Sequence, residues 1–143
     1  MGITQELESL FEEEIVSEFI DHFGIMCQAM IPHIMALRQG HDIESNMDEL
    51  FRIFHNIKSA TGFLKLNKIN KLAALAEEYL EEVRSGRKQI SQELAEWLII
   101  VADQMSDWQE DLEQDRATLR KTRRQIIRLP KTIFEQQQGD GAS

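Results

Sequence analysis

MDELFRIFHNIKSATGFLK, residues 47–65, holds both a packing pattern and a candidate for chemistry. Ile43, Met47, Leu50, Phe54, Ile57 and Thr61 alternate steps of four and three. That is the seam of a helix packed in a near-parallel bundle. Successive helical residues turn by about 100°, which puts His55 roughly 130° from the centre of the Met47-Leu50-Phe54-Ile57 stripe. His55 is thus expected to face solvent or the rim of a groove. Lys58 and Ser59 share its face, and Gly62 lies beneath it two turns on. Glycine inside a helix costs about 1 kcal/mol against alanine. Either residue 62 ends the helix or something favours a missing side chain there, and spacing alone leaves both open. His55 by itself reads first as a solvent histidine and only second as a reactive one.

Outward from this segment the same periodicity recurs. Residues 4–37 carry a stripe of Leu7, Phe11, Ile15, Phe19, Phe23, Met26, Met30, Ile34 and Leu37, interrupted by Gly24 and Pro32. Proline removes a backbone donor, so a kink or break is expected near residues 29–31. Gly40 reads as a helix stop, and Ser45-x-x-Asp48 as a capping box for the next helix. Asn67 is the expected N-cap of a third helix, with Leu66, Ile69, Leu72, Ala76, Leu80 and Val83 as its buried stripe and Gly86 as its stop. A fourth helix is expected over residues 91–115. Leu94, Leu98, Val101, Met105, Trp108 and Leu112 form its seam, and Trp97 and Ile100 widen it. The chain is expected to stay helical to Leu129, stop at Pro130 and fray over residues 135–143. The expectation is all-α: an antiparallel up-down four-helix bundle over residues 1–115, with a basic, helical C-terminal extension and flexible tail over 116–143.

Composition agrees. The chain has 143 residues, 42% hydrophobic and 29% charged, with 2 prolines, which favours one folded helical domain. Its net charge of −9 is unevenly spread. Residues 116–143 hold seven basic side chains against two acidic ones, a net of +5, so residues 1–115 carry −14. An acidic body repels phosphates and argues against nucleic acid as a partner. The basic segment is expected to fold back on that body or lie solvated beside it. Cys27 is alone, which excludes an intrachain disulfide and reads as a buried small hydrophobe in a reducing, cytoplasmic setting. No signal peptide is visible, Glu6 stands where myristoylation needs Ser or Thr, and no apolar run suits membrane insertion.

Other histidine chemistry finds no support. His22, His33, His41 and His55 are preceded three residues earlier by Phe19, Met30, Arg38 and Arg52, so none fits the Glu-x-x-His pattern of di-metal bundles. There is no His-x-x-x-His pair, Gly-rich phosphate loop or Gly-x-Ser-x-Gly elbow. His22, His33 and His41 read as surface or loop-end residues.

Residues 50–86, LFRIFHNIKSATGFLKLNKINKLAALAEEYLEEVRSG, resemble the core of the histidine phosphotransfer (HPt) family, which includes the N-terminal phosphotransfer domain of CheA-type chemotaxis kinases. His55, Lys58, Ser59 and Gly62 match its pattern in order: a histidine, lysine three positions on, a small residue, and glycine seven after the histidine. Residues 18–37, EFIDHFGIMCQAMIPHIMAL, are compatible with the family's first helix, and the resemblance spans roughly residues 14–112. Two positions depart from the CheA-type pattern: Ala74 stands where a second histidine is usual, and Lys65 where glycine is frequent. The nearest fit is a general HPt module.

The resemblance implies a phosphorelay carrier rather than an autonomous enzyme, and no kinase catalytic domain is seen in these residues. His55 would accept a phosphoryl group and exchange it with a receiver-domain aspartate of a response regulator, with a sensor histidine kinase upstream. A neutral imidazole offers a nucleophilic nitrogen at cellular pH. Lys58 would supply charge to the phosphoryl oxygens. Ser59 and Gly62 would leave room for the docking receiver. Glu77 would bond the other ring nitrogen of His55 and orient it. The carrier needs no cofactor or metal of its own, since Mg²⁺ would come with the receiver. The alternative is a pseudo-HPt adaptor that binds a receiver or kinase without transfer.

Overall fold

In a computed structural model of the protein, residues 1–86 and 90–128 are described. Among the described residues five longer helices follow in order: α1 (Ile3–Leu10), α2 (Glu13–Gln39), α3 (Ile43–Phe63), α4 (Asn67–Arg84) and α5 (Gln92–Glu113). Each of α2 to α5 packs on its chain neighbours, and α2 closes the ring against α5, with no close backbone approach across either diagonal among the described residues. The expected all-α, up-down four-helix bundle is therefore formed, and α1 lies against α2 and α5. Trp97, Trp108, Phe23, Phe54, Met30 and Leu50 fill its interior. Cys27 is buried as expected, and burial pushes its thiol up to about 12, with a weaker opposing bond from Ser106.

The first helical region differs from expectation. Its break falls at Phe11, where the backbone is extended, and α2 runs unbroken through both Gly24 and Pro32. At the start of α2, Val16 is fully buried and Ile15, the expected stripe residue, is 38% exposed, while the stripe from Phe19 to Leu37 is buried as expected. Pro32 sits on the exposed side while Met30 and Ile34 are buried around it. Their packing offsets the lost backbone bond. α1 is held from outside itself. Asp115, beyond the end of α5, accepts from Thr4 N at 2.9 Å and Gln5 N at 3.1 Å, capping α1 in place of a residue of its own.

Helix ends account for further corrections. The Ser45–Asp48 box does not form, because α3 begins at Ile43 with Asp42 as a left-handed N-cap. Asn67 is the first residue of α4 rather than its cap, and Leu66 occupies the cap position. The preceding turn decides this. Leu66 N donates to Thr61 O at 2.9 Å and Lys65 N to Gly62 O at 3.3 Å, a Schellman closure of α3. Lys65 sits at its left-handed position with φ 60°, which is where glycine is favoured. Gly40 and Gly86 stop their helices with positive φ, as expected.

The extension also departs from expectation. α5 ends at Glu113, Asp115 turns left-handed with φ 52°, and only residues 124–128 return to helix. Between them the chain folds back as a strap. Trp108 Nε1 donates to Arg120 O at 2.8 Å, Trp97 Nε1 to Ile126 O at 3.1 Å, and Arg123 N to Gln104 Oε1 at 2.8 Å. Ile126 is buried. Arg116 and Arg120 both meet Asp111 Oδ1, at 2.7 and 2.9 Å, and Arg123 meets Asp107 at 2.7 Å. Basic charge on acidic charge is the fold-back that the sequence suggested. The expected stop at Pro130 and the tail over 135–143 lie outside the described residues.

Candidate functional site

α3 and α4 are joined by the tight turn at residues 64–66 and run back along each other, so the middle of α3 faces the middle of α4. Phe54 and Ile57 point fully into the core. His55, between them, is turned outward, its side chain 52% exposed. The wheel's orientation for His55 is the one observed. Gly62 is helical, since α3 runs to Phe63, and it is exposed together with Ser59. That resolves the choice left open by spacing in favour of a glycine inside the helix.

Glu77 reaches across from α4 and joins the two residues of α3. Its Oε1 accepts from Lys58 Nζ at 3.0 Å. Its Oε2 lies 3.4 Å from His55 Nδ1. This oxygen is buried and has no hydrogen-bond partner among the described residues. An unpaired buried acceptor costs about 1–3 kcal/mol. A proton on Nδ1 turned toward it would recover part of that cost, and that tautomer would leave Nε2 unprotonated. The expected trio of His55, Lys58 and Glu77 is thus brought together, with Ser59 and Gly62 farther along the same helix.

Three further residues shape the site and were not read from the sequence. Phe51, one turn before His55, stacks on its ring with centroids 6.3 Å apart and planes 11° apart. Arg84 of α4 lies over the Phe51 ring, 4.2 Å from its centre, and pairs with Asp48 at 3.3 Å. Asn70 Nδ2 donates to the Lys58 carbonyl at 2.8 Å, tying α3 to α4 beneath the lysine. The i, i+4 spacing of Phe51 and His55 was a usable signal. Arg84 and Asn70 needed the α3–α4 register. Among the described residues no cluster of three or more His, Cys, Asp or Glu stands ready to hold a metal ion. None of their helices is long and apolar enough to cross a membrane.

Comparison with known families matches residues 14–121 to the Hpt domain. Among curated proteins the chain is similar to the chemotaxis protein CheA of Borreliella burgdorferi (strain ATCC 35210 / DSM 4680 / CIP 102532 / B31), 22% identical over 98 residues. The match covers 68% of this chain and 11% of that protein, so the chain spans only a small part of this relative's length. No solved structure matches.

Proposed function

The chain belongs to the Hpt domain family, and from that premise we propose that it is a phosphorelay carrier whose phosphoacceptor is His55. The observation that carries this reading is the Glu77 carboxylate, which spans Lys58 and the Nδ1 side of a half-exposed His55. With Nδ1–H turned to Glu77, Nε2 keeps its lone pair on the open side of the ring. Nε2 attacks the phosphorus of a receiver's aspartyl phosphate, the P–O bond to that aspartate breaks, and the aspartate leaves as a carboxylate. The imidazole becomes a cation that still carries its Nδ1 proton, and the buried Glu77 oxygen faces that new charge. Lys58, one turn along, meets the negative phosphoryl oxygens. The reverse reaction returns the group to a receiver. The receiver supplies the aspartate and Mg²⁺.

Ser59 and Gly62 keep the surface beside His55 low enough for a receiver to close over it. The partners of this reading are a response-regulator receiver and a sensor histidine kinase, in the cytoplasm. Incubation with a phosphorylated receiver tests it. Acid-labile, base-stable phosphate should appear on the native chain and be absent from His55→Gln, whose helical circular dichroism should be unchanged. Receiver binding without phosphate uptake would instead make the chain an adaptor.

A further inference from the structure

His55 is bordered on its other side by a feature that the trio of His55, Lys58 and Glu77 does not use. Asp48, Phe51, Arg52, His55 and Arg84 line an open cavity of about 300 Å³, roomy enough for a phosphoryl group. Two of its five lining residues are arginines and one is acidic. Among the described residues, the ion-pair partners of both guanidinium groups are exposed. Arg52 meets Glu49 at 3.6 Å, while Arg84 meets Asp48 at 3.3 Å and Glu81 at 3.8 Å. Ion pairs this exposed hold weakly. Arg84 has a second restraint, the Phe51 ring 4.2 Å away, and that ring stacks on the imidazole. Phe51 thereby holds the Arg84 guanidinium by its face, which leaves the N–H groups at its edge to Asp48, Glu81 and any anion that competes with them.

We propose that Arg84 is a second phosphoryl-binding cation, exchanging Asp48 for the phosphoryl oxygens once His55 is phosphorylated. The inference rests on His55 as the acceptor. The physical drive is a dianion newly placed at the cavity's edge. A guanidinium offers it paired N–H donors in the fork geometry that phosphate oxygens accept. Lys58 is already engaged by Glu77 on the opposite flank. The charged groups around the cavity are Asp48, Glu49, Arg52, Glu81 and Arg84, with Glu77 and Lys58 across the ring. Phosphate and Asp48 then compete for one guanidinium, so the two carboxylates near Arg84 set how firmly the group is kept.

The test needs no partner protein. The full chain is phosphorylated with phosphoramidate, and its ³¹P resonances are followed as pH is varied; the resonance missing from His55→Gln marks the site. Arg84→Gln should raise the pH midpoint of that resonance by about one unit, the lower end of what an adjacent opposite charge produces. Asp48→Asn, which frees Arg84 and leaves its packing on Phe51 intact, should lower the midpoint. Arg38→Gln, which removes an equal charge at the far end of α2, should leave it in place. A His55 resonance that ignores both Arg84→Gln and Asp48→Asn overturns this inference alone. A native chain with no His55-dependent resonance overturns the functional reading and this inference with it.

Discussion

Glu77 is the residue on which the site turns, since one carboxylate serves two partners on a neighbouring helix. In Glu77→Gln the amide can still accept from Lys58 but brings no negative charge to the phosphorylated imidazole. Transfer from a phosphorylated receiver should slow roughly tenfold, about 1.4 kcal/mol of barrier. Stopped-flow or rapid-quench rates would show it, and an unchanged rate would remove Glu77 from the site. Gly62 separates folding from docking. A Cβ built there meets only Asn70 Nδ2, at an ordinary 3.4 Å, and the backbone is helical. Gly62→Ala should therefore raise stability by about 0.5 kcal/mol, less than the full propensity gain because the helix ends one residue later. Gly62→Leu should fold as well and bind a receiver at least tenfold more weakly. Equal binding by Gly62→Leu, measured by calorimetry, would show that the glycine has no docking role.

At the scale of elements, the strap after α5 is held by a buried carboxylate. Burial pushes the Asp111 carboxyl up, but bonds from the Arg120 backbone and the Arg116 and Arg120 guanidinium groups outweigh it and hold it below its ordinary 3.8. A depressed folded value means that the stabilisation is fully present above the unfolded value and is lost as pH falls through the folded one. Asp111→Asn should cost about 2 kcal/mol at neutral pH, the range for hydrogen bonds to charged groups. The gap between native and variant should close as pH drops below 3.8. Urea titrations at pH 7 and pH 3 would check the sign, and a gap that widens in acid would refute the assignment. The helices themselves were legible in the sequence because their seams repeat at the backbone's own period. The break at Phe11 was not. Phe11 and Ile15 continue the apolar spacing, and only the docking of α1 against Asp115 and the end of α5 makes an extended residue there favourable.

For the whole molecule, the basic side chains of residues 116–128 become a physical attachment to the acidic body, with Arg116 and Arg120 on Asp111 and Arg123 on Asp107. A chain ending at residue 115 would lose the acceptors of both tryptophan N–H groups, the buried Ile126 and the partners of Asp111. It should be less stable by about 5 kcal/mol, roughly 3 from two hydrogen bonds and one buried aliphatic side chain and roughly 2 from the lost partners of Asp111. Thermal unfolding of the two chains would measure the difference. Equal Tm values would show that the strap adds nothing to the stability of residues 1–115.

The sequence by itself determined the four seams, the outward direction of His55, its company of Lys58, Ser59 and Gly62, and an acidic body with a basic end. All of these follow from local spacing and composition, since residues three, four and seven apart on a helix are neighbours whatever surrounds them. Tertiary structure decided how α3 registers against α4, and with it whether Glu77 reaches both Lys58 and His55 and where Arg84 meets Phe51. That register is set by the left-handed turn at Lys65 and by core packing between separate helices. A one-residue slip would rotate α4 by about 100° and carry Glu77 off the site. The same holds for the strap, whose tryptophan and Asp111 contacts join residues that share no helical face.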